Sequence, residues 1–191
     1  MREVYGIDVS ENNGELDWRA IADAGIEFAI VRASYGQTGR DELFQRNVAE
    51  AHKYGLRCGA YHYDYSLDVD DAIANAINCR EAIDEAGVLL EMPVFYDLED
   101  ADGWKRDRGF DASDGVLLTN MSEAFLLNIG LNSGIYASYS WLEIIDWKSL
   151  DCPIWNAQWG KTDDIRGYMW QYTEKADVGG YILDGDIWYQ P

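Results

Sequence analysis

Histidine is nearly absent: His52 and His62 are the two copies in 191 residues. That scarcity argues against a transition-metal centre. It also leaves a nucleophilic triad without a base, because His52 falls in a helical stretch and no serine lies on a G-x-S-x-G turn. The three cysteines, Cys58, Cys79 and Cys152, are odd in number, far apart and without metal-ligand spacing. They exclude a disulfide framework and a zinc site, and read as buried thiols. Basic residues are also few, 15 against 35 acidic for a net charge of −20, which speaks against nucleic acid or an anionic membrane as partner. Solubility alone accounts for such a charge. No apolar run approaches the roughly 20 residues of a membrane span. No charged and apolar leader precedes the strand-like VYGIDV, so the chain as written is expected to be made in the cytoplasm without a signal peptide. The loop YGQTGRD lacks the glycine spacing and the Lys-Ser/Thr of a phosphate cradle. With no linker, low-complexity segment or repeat, residues 1–191 are expected to form a single domain with no cofactor and no resident metal. An oxygen-ligated cation stays compatible with clustered carboxylates. Oligomeric state leaves no mark on the sequence.

What is abundant is apolar and aromatic: 48% hydrophobic and 14% Phe, Trp and Tyr, enough for a sizeable core. The apolar runs set up an alternating order. Val4–Val9 reads as a strand delivering Asp8, followed by a short helix in LDWRAIADAG. EFAIVRAS is the second strand and ELFQRNVAEAHKYG the second helix. RCGAYHYDY is a third strand, followed by a helix from about Val69 to Glu85 that ends at Gly87. MPVFYDLED is the central strand, and Ser113 is the expected N-cap of a helix running to about Ile129. SGIYAS makes a fifth strand. Strand–helix alternation implies parallel pairing and a barrel. After Trp141 the rhythm changes, since PIWNAQW, YMWQY and YILDGDIW are too closely spaced for crossover helices, so hairpins are expected there. The fold expected is α/β, a shortened, irregular TIM-like barrel of about five βα units followed by three further strands.

Active groups in such barrels sit at the C-terminal ends of the strands. The central stretch places Asp97 and Glu99 there, two residues apart and hence on one face. Asp8 ends the first strand and Asp184 lies in the last. Singly, each has a bland alternative as a loop, cap or solvated edge residue; arriving together on apolar strands, they point to a cleft for acid/base chemistry. Aromatic residues crowd the same ends: Tyr61, His62, Tyr63 and Tyr65 from the third strand, then Trp155, Trp159, Trp170 and Tyr172 from the tail. Rings with a polar handle suit sugar faces, although core filling is the competing reading for any one of them.

Four features, YGIDVSENNGELDW at the start, GAYHY, the central YDLE, and WNAQW with MWQY and ILDGD in the tail, together make the chain resemble glycoside hydrolase family 25. These are the lysozymes that occur as phage endolysins and bacterial autolysins. The resemblance covers essentially the whole chain. It implies a catalytic domain that hydrolyses the β-1,4 bond between N-acetylmuramic acid and N-acetylglucosamine in peptidoglycan glycan strands, and so acts on the cell wall after release. By position, Glu99 matches the general acid/base, Asp97 its partner and Asp8 the aspartate ending the first strand. Asp184 matches the aspartate of the final strand, with Asp186 as the fallback because the family reads V-D-x-N where this chain has Leu183-Asp184-Gly185-Asp186. Substrate contacts are expected from Tyr61, Tyr63, Tyr136, Trp155, Gln158 and Trp170. Two rivals stay open, a catalytically inactive glycan-binding barrel and a chitinase-like hydrolase. The D-x-x-D-x-D-x-E pattern of the latter is broken here by Met92 and Val94.

Overall fold

A computed structural model describes residues 2–190 and gathers them around a closed ring of strands. The strands are β1 (Arg2–Val9), β2 (Phe28–Tyr35), β3 (Gly39–Arg40), β4 (Arg57–Tyr63), β5 (Val94–Asp97), β6 (Ser133–Ser138), β7 (Ile154–Ala157), β8 (Met169–Val178) and β9 (Tyr181–Gln190). The helices are α1 (Trp18–Asp23), α2 (Phe44–Lys53), α3 (Val69–Ala86), α4 (Gly115–Ile129) and α5 (Tyr139–Leu142). Round the ring the order is β1, β9, β8, β7, β6, β5, β4, β2, and β2 closes back onto β1 in parallel. The pairs from β1–β2 through β6–β7 are parallel, each reached by a crossover that carries one of the helices. The expected plan of five βα units and three further strands is therefore present, an irregular TIM-like barrel.

Strand alternation divides the side chains between two cores. On β2, Phe28 and Ile30 point inward and Ala29, Val31 and Ala33 outward. On β5, Phe95 is inward and Val94 and Tyr96 outward. The inner cluster contains Val4, Phe28, Ile30, Met92, Phe95, Tyr136, Trp155, Met169 and Trp188, large side chains that fill the barrel. The outer cluster lies between the ring and the helices, and there Tyr96 stacks on Phe125 of α4 at 4.3 Å between ring centres. All three cysteines are free thiols; Cys58 and Cys79 are buried, as expected, and Cys152 is only half-buried.

Three local expectations are corrected. The YGQTGRD segment is more than a loop, because Gly39–Arg40 folds back as β3 on the end of β2. The N-cap of α4 is Asp114, whose carboxylate accepts from Leu117 N, while Ser113 instead donates its hydroxyl to Asp111. The tail contains one hairpin, β8–β9, turned at Gly179 and Gly180 with φ of 59° and 90°. β7 and β8 are parallel, joined by residues 158–168 without a helix. Asp163 lets this loop replace one, because its Oδ1 accepts from Asn156 Nδ2, Ile165 N and Arg166 N at 2.7, 3.1 and 2.9 Å.

β6 and the segment leading into β7 approach so closely that a Cβ on Gly134 would run into the carbonyl oxygen of Pro153. Gly134→Ala is therefore expected to destabilise the fold by about 2 kcal/mol or more. Chemical denaturation reads this, and an unchanged midpoint would contradict the packing described.

Candidate active site

The inward parity that fills the lower barrel with rings delivers carboxyl groups at its C-terminal mouth. Asp8 lies two residue pairs above Val4 on β1, and Asp97 follows Phe95 on β5. On β9, Asp186 and Asp184 follow Trp188 in the same alternation, the chain running the other way. Glu99 stands beyond the last assigned residue of β5, but the ladder continues: Leu98 N donates to Tyr136 O at 2.9 Å and Asp64 N to Asp97 O at 3.1 Å. Leu98 is buried in the outer core, so Asp97 and Glu99 turn to the inside together. Asp8, Asp97, Glu99 and Asp184 line a single cleft of about 330 Å³ with Tyr61, Tyr63, Tyr136 and Trp155.

Burial dominates the electrostatics. Asp8 is pushed up to about 8, by loss of water first and then by the charge of Asp184, with the Gln171 amide opposing. Asp97 and Asp186 are raised well above the usual carboxylate range, by burial and then by Glu99 and Asp8 respectively. Asp184 is raised by burial and by Glu174. Glu99 is raised by burial, against the lowering effects of its Asp97 contact and of Lys105. Two close carboxyl pairs result, Asp97 with Glu99 and Asp8 with Asp186. Two carboxylates have no proton to share, which is why Asp97 Oδ1 and Asp186 Oδ2 lack partners when both members are ionised. One proton turns each pair into an O–H···O contact, so each pair retains a proton to higher pH than an isolated acid. Within the first pair Asp97, 4% exposed, lies deeper in the wall, and Glu99 is the more open member.

Gln171 ties the floor together. Its Nε2 donates to Asp8 Oδ2 at 2.8 Å, and its Oε1 accepts from Tyr136 Oη at 3.0 Å and from Trp159 Nε1 at 3.1 Å. Trp155 donates its indole N–H to Asp186 Oδ1 at 2.8 Å and packs edge-on against Tyr136 at 4.5 Å. Arg32 stands at the rim, held by Glu11 and Asp41 at 3.0 Å each. Among the described residues no group of His, Cys, Asp and Glu has the geometry to hold a metal ion.

Of the expected contact residues, Tyr61, Tyr63, Tyr136 and Trp155 are at the cleft, and Gln158 and Trp170 are not among its lining. Parity is the reason. Trp170 alternates with the inward Met169 and Gln171, and its indole N–H is spent on Gln158 O at 2.7 Å, while the Gln158 amide donates to Asp164. Trp159 and Gln171 take those places. His62 is also absent from the cleft: it faces outward, fully buried between Ser34 and Asn75, and burial lowers it to about 4. Both final-strand aspartates belong to the site, Asp184 lining the cleft opposite Asp8 and Asp186 beneath it against Asp8 and Trp155. The signal for Gln171 was available in MWQY, where the inward Met169 fixes the phase.

The sequence profile of glycosyl hydrolases family 25 matches residues 7–181. The chain belongs to this family. It is 26% identical to lysozyme M1 of Streptomyces globisporus over 96% of this chain and 66% of that protein. It is 25% identical to the autolytic lysozyme of Clostridium acetobutylicum over 95% of this chain and 54% of that protein. The chain thus spans between about half and two-thirds of the length of these relatives. The fold is shared with the modular autolysin LytC of Streptococcus pneumoniae, solved with a synthetic peptidoglycan ligand, at a TM-score of 0.85 and 23% identity over 98% of this chain and 47% of that one. The CTP1L endolysin superposes at 0.80 with 25% identity, over 100% of this chain and 67% of that one.

The raised carboxyls of this family 25 site predict a cost at alkaline pH. An acid whose folded value lies above its unfolded one contributes stability below the unfolded value and loses it as pH rises through the folded one. For Asp8 that window runs from 3.8 to about 8. Asp8→Asn is therefore expected to melt above the parent at pH 8 and level with it near pH 4. Equal melting temperatures at both pH values would contradict the burial assigned to Asp8.

Proposed function

We propose that this chain is a muramidase, cleaving the β-1,4 bond between N-acetylmuramic acid and N-acetylglucosamine in peptidoglycan glycan strands. The observation that carries the reading is the Asp97–Glu99 pair, inward at the end of β5 in a tyrosine-lined cleft and raised by burial. A glycosidic oxygen is a poor leaving group unless it receives a proton as the bond breaks, so the enzyme needs a carboxylic acid that keeps its proton near neutrality. Glu99, facing the cleft, supplies it. The positive charge that develops on the sugar ring meets the carboxyls of Asp8 and Asp184 across the cleft.

Asp97 has two possible duties in such a mechanism, direct attack on the anomeric carbon or support of the substrate's own N-acetyl group. Its burial supports the second. A carboxyl set back in the wall is better placed to accept the N–H of the substrate's amide, which strengthens the acetyl oxygen as a nucleophile, than to reach the anomeric carbon itself. Tyr61, Tyr63 and Trp159 provide ring faces for the sugars, with Tyr136 and Trp155 buried beneath them as the floor. Such a substrate places the site of action at the cell wall, after lysis or export.

Glu99→Gln is expected to fold normally and to lose activity by a factor on the order of 10² to 10⁴. Release of reducing ends from purified peptidoglycan measures this, and identifying the new reducing end separates a muramidase from a glucosaminidase. Wild-type turnover by Glu99→Gln would remove Glu99 from its role, and binding without cleavage by the parent would favour the inactive glycan-binding barrel. The net charge of −20 adds a second expectation: on anionic walls, moderate salt should raise activity by screening repulsion, and a falling profile would contradict it.

A further inference from the structure

Behind the cleft, in the gap between the ends of β4 and β5, lies a buried lysine that the acid/base chemistry does not itself require. Lys105 is 1% exposed, an unusual place for an ammonium unless all of its donors are used. They are. Nζ donates to the carbonyl oxygen of Asp64 at 2.6 Å, to Asp64 Oδ2 at 2.7 Å and to the carbonyl oxygen of Glu99 at 3.0 Å. An ammonium has three N–H groups, and here three acceptors from two strand ends meet it. The backbone ladder between these strands ends at Asp64 N to Asp97 O. The next link between them is the lysine.

Both ends of this link are fixed. The Asp64 carboxylate accepts from Ser66 N at 2.8 Å and from the Ser66 hydroxyl. That hydroxyl oxygen also receives Asn75 Nδ2 at 3.0 Å and Tyr96 Oη at 3.3 Å. Lys105 itself is set by the loop it closes: Asp100 accepts from Lys105 N at 2.8 Å and from Arg106 N at 3.0 Å, and Lys105 O accepts from Phe110 N at 3.1 Å. Glu99 lies beyond the assigned strand, between Leu98, whose N–H is held by Tyr136 O, and Asp100, which is held to the loop, and the lysine is the tie to its own carbonyl.

We propose that Lys105 is the positioning residue of Glu99, its ammonium anchoring the Glu99 main chain to β4 and so fixing where the carboxyl meets the glycosidic oxygen. The proposal rests on the reading of Glu99 as the acid. Lys105 is also the nearby cation that favours the Glu99 anion. Facing Glu99 as well are Asp97, Asp8, Asp184 and Asp102 and the phenols of Tyr63 and Tyr136. Against that acidic surround, loss of the ammonium leaves Glu99 protonated to higher pH.

The test combines kinetics on purified peptidoglycan with a carbon NMR titration of the Glu99 carboxyl. Lys105→Met is expected to lower kcat by ~10²-fold with KM little changed, the scale of a misplaced catalytic group. The Glu99 titration and the alkaline limb of the pH–rate profile should both move upward. Removing one partner of a buried ion pair strains folding, so the double variant Lys105→Met/Asp64→Asn, which removes both charges, carries the same expectations if the single variant does not fold. Lys105→Arg keeps the charge but presents a planar fork to three acceptors arranged for an ammonium. It should leave the titration near its parent value without restoring kcat. Parent kcat in Lys105→Arg, or an unmoved Glu99 titration and parent kcat in the folded variant lacking the lysine, overturns the proposal. An inactive parent protein would instead overturn the muramidase reading, and the NMR titration would still decide whether Lys105 governs Glu99.

Discussion

Holding Asp8, Asp97 and Asp186 out of water, with Glu99 and Asp184 half-buried beside them, at one end of a barrel is the constraint on which the rest of the structure turns. An ionised carboxylate buried without a partner is too costly to keep, so the cluster remains folded by keeping protons and by borrowing donors. Gln171 gives its amide N–H to Asp8, Trp155 its indole N–H to Asp186, and Lys105 places a positive charge behind Glu99. These donors need rigid supports. Trp155 is wedged against Phe95 and Tyr136 inside the ring, and Gln171 is held by two aromatic donors. The packed interior and the acidic mouth are thus two ends of one device. The aromatic plug excludes water from below, and that exclusion is what raises the acids above it.

Much of this was legible because the signal repeats every two residues. Once Phe95 is inward, Asp97 must be, and Glu99 follows as long as the chain stays extended, which the Leu98 to Tyr136 bond ensures. The same rule applied to β8 turns Gln171 inward rather than Trp170, and carried past β7 it turns Trp159 inward rather than Gln158. The expectation of Trp170 and Gln158 weighed residue type, a large aromatic beside a motif, above phase. The β7–β8 connection was illegible for a different reason. A parallel crossover without a helix depends on Asp163 gathering two backbone N–H groups and one amide, and a single aspartate in a loop gives no periodic signal. Lys105 is a similar case. In GWKRDRG it reads as one charge among several in a solvated loop, and only the meeting of three acceptors distinguishes it from Arg106, which stays exposed against Asp107.

On the outer face of the same strands, buried polar groups are arranged differently. Ser34, His62, Asn75, Ser66 and Tyr96 form a buried polar chain between the ring and α3, with each link supplying a donor to an acceptor. Asn75 Oδ1 accepts from His62 Nε2, so Nδ1 is left to receive the Ser34 hydroxyl, and the imidazole is neutral at physiological pH. This network has its partners and holds no excess charge. The cleft on the inner face contains buried carboxyl oxygens, Asp97 Oδ1 and Asp186 Oδ2, that stay without a partner unless the neighbouring carboxyl holds a proton. A fold that satisfies a histidine so completely on one side of β4 could satisfy carboxyls on the other. It instead crowds like charges there, and burial together with mutual repulsion is what keeps protons on them.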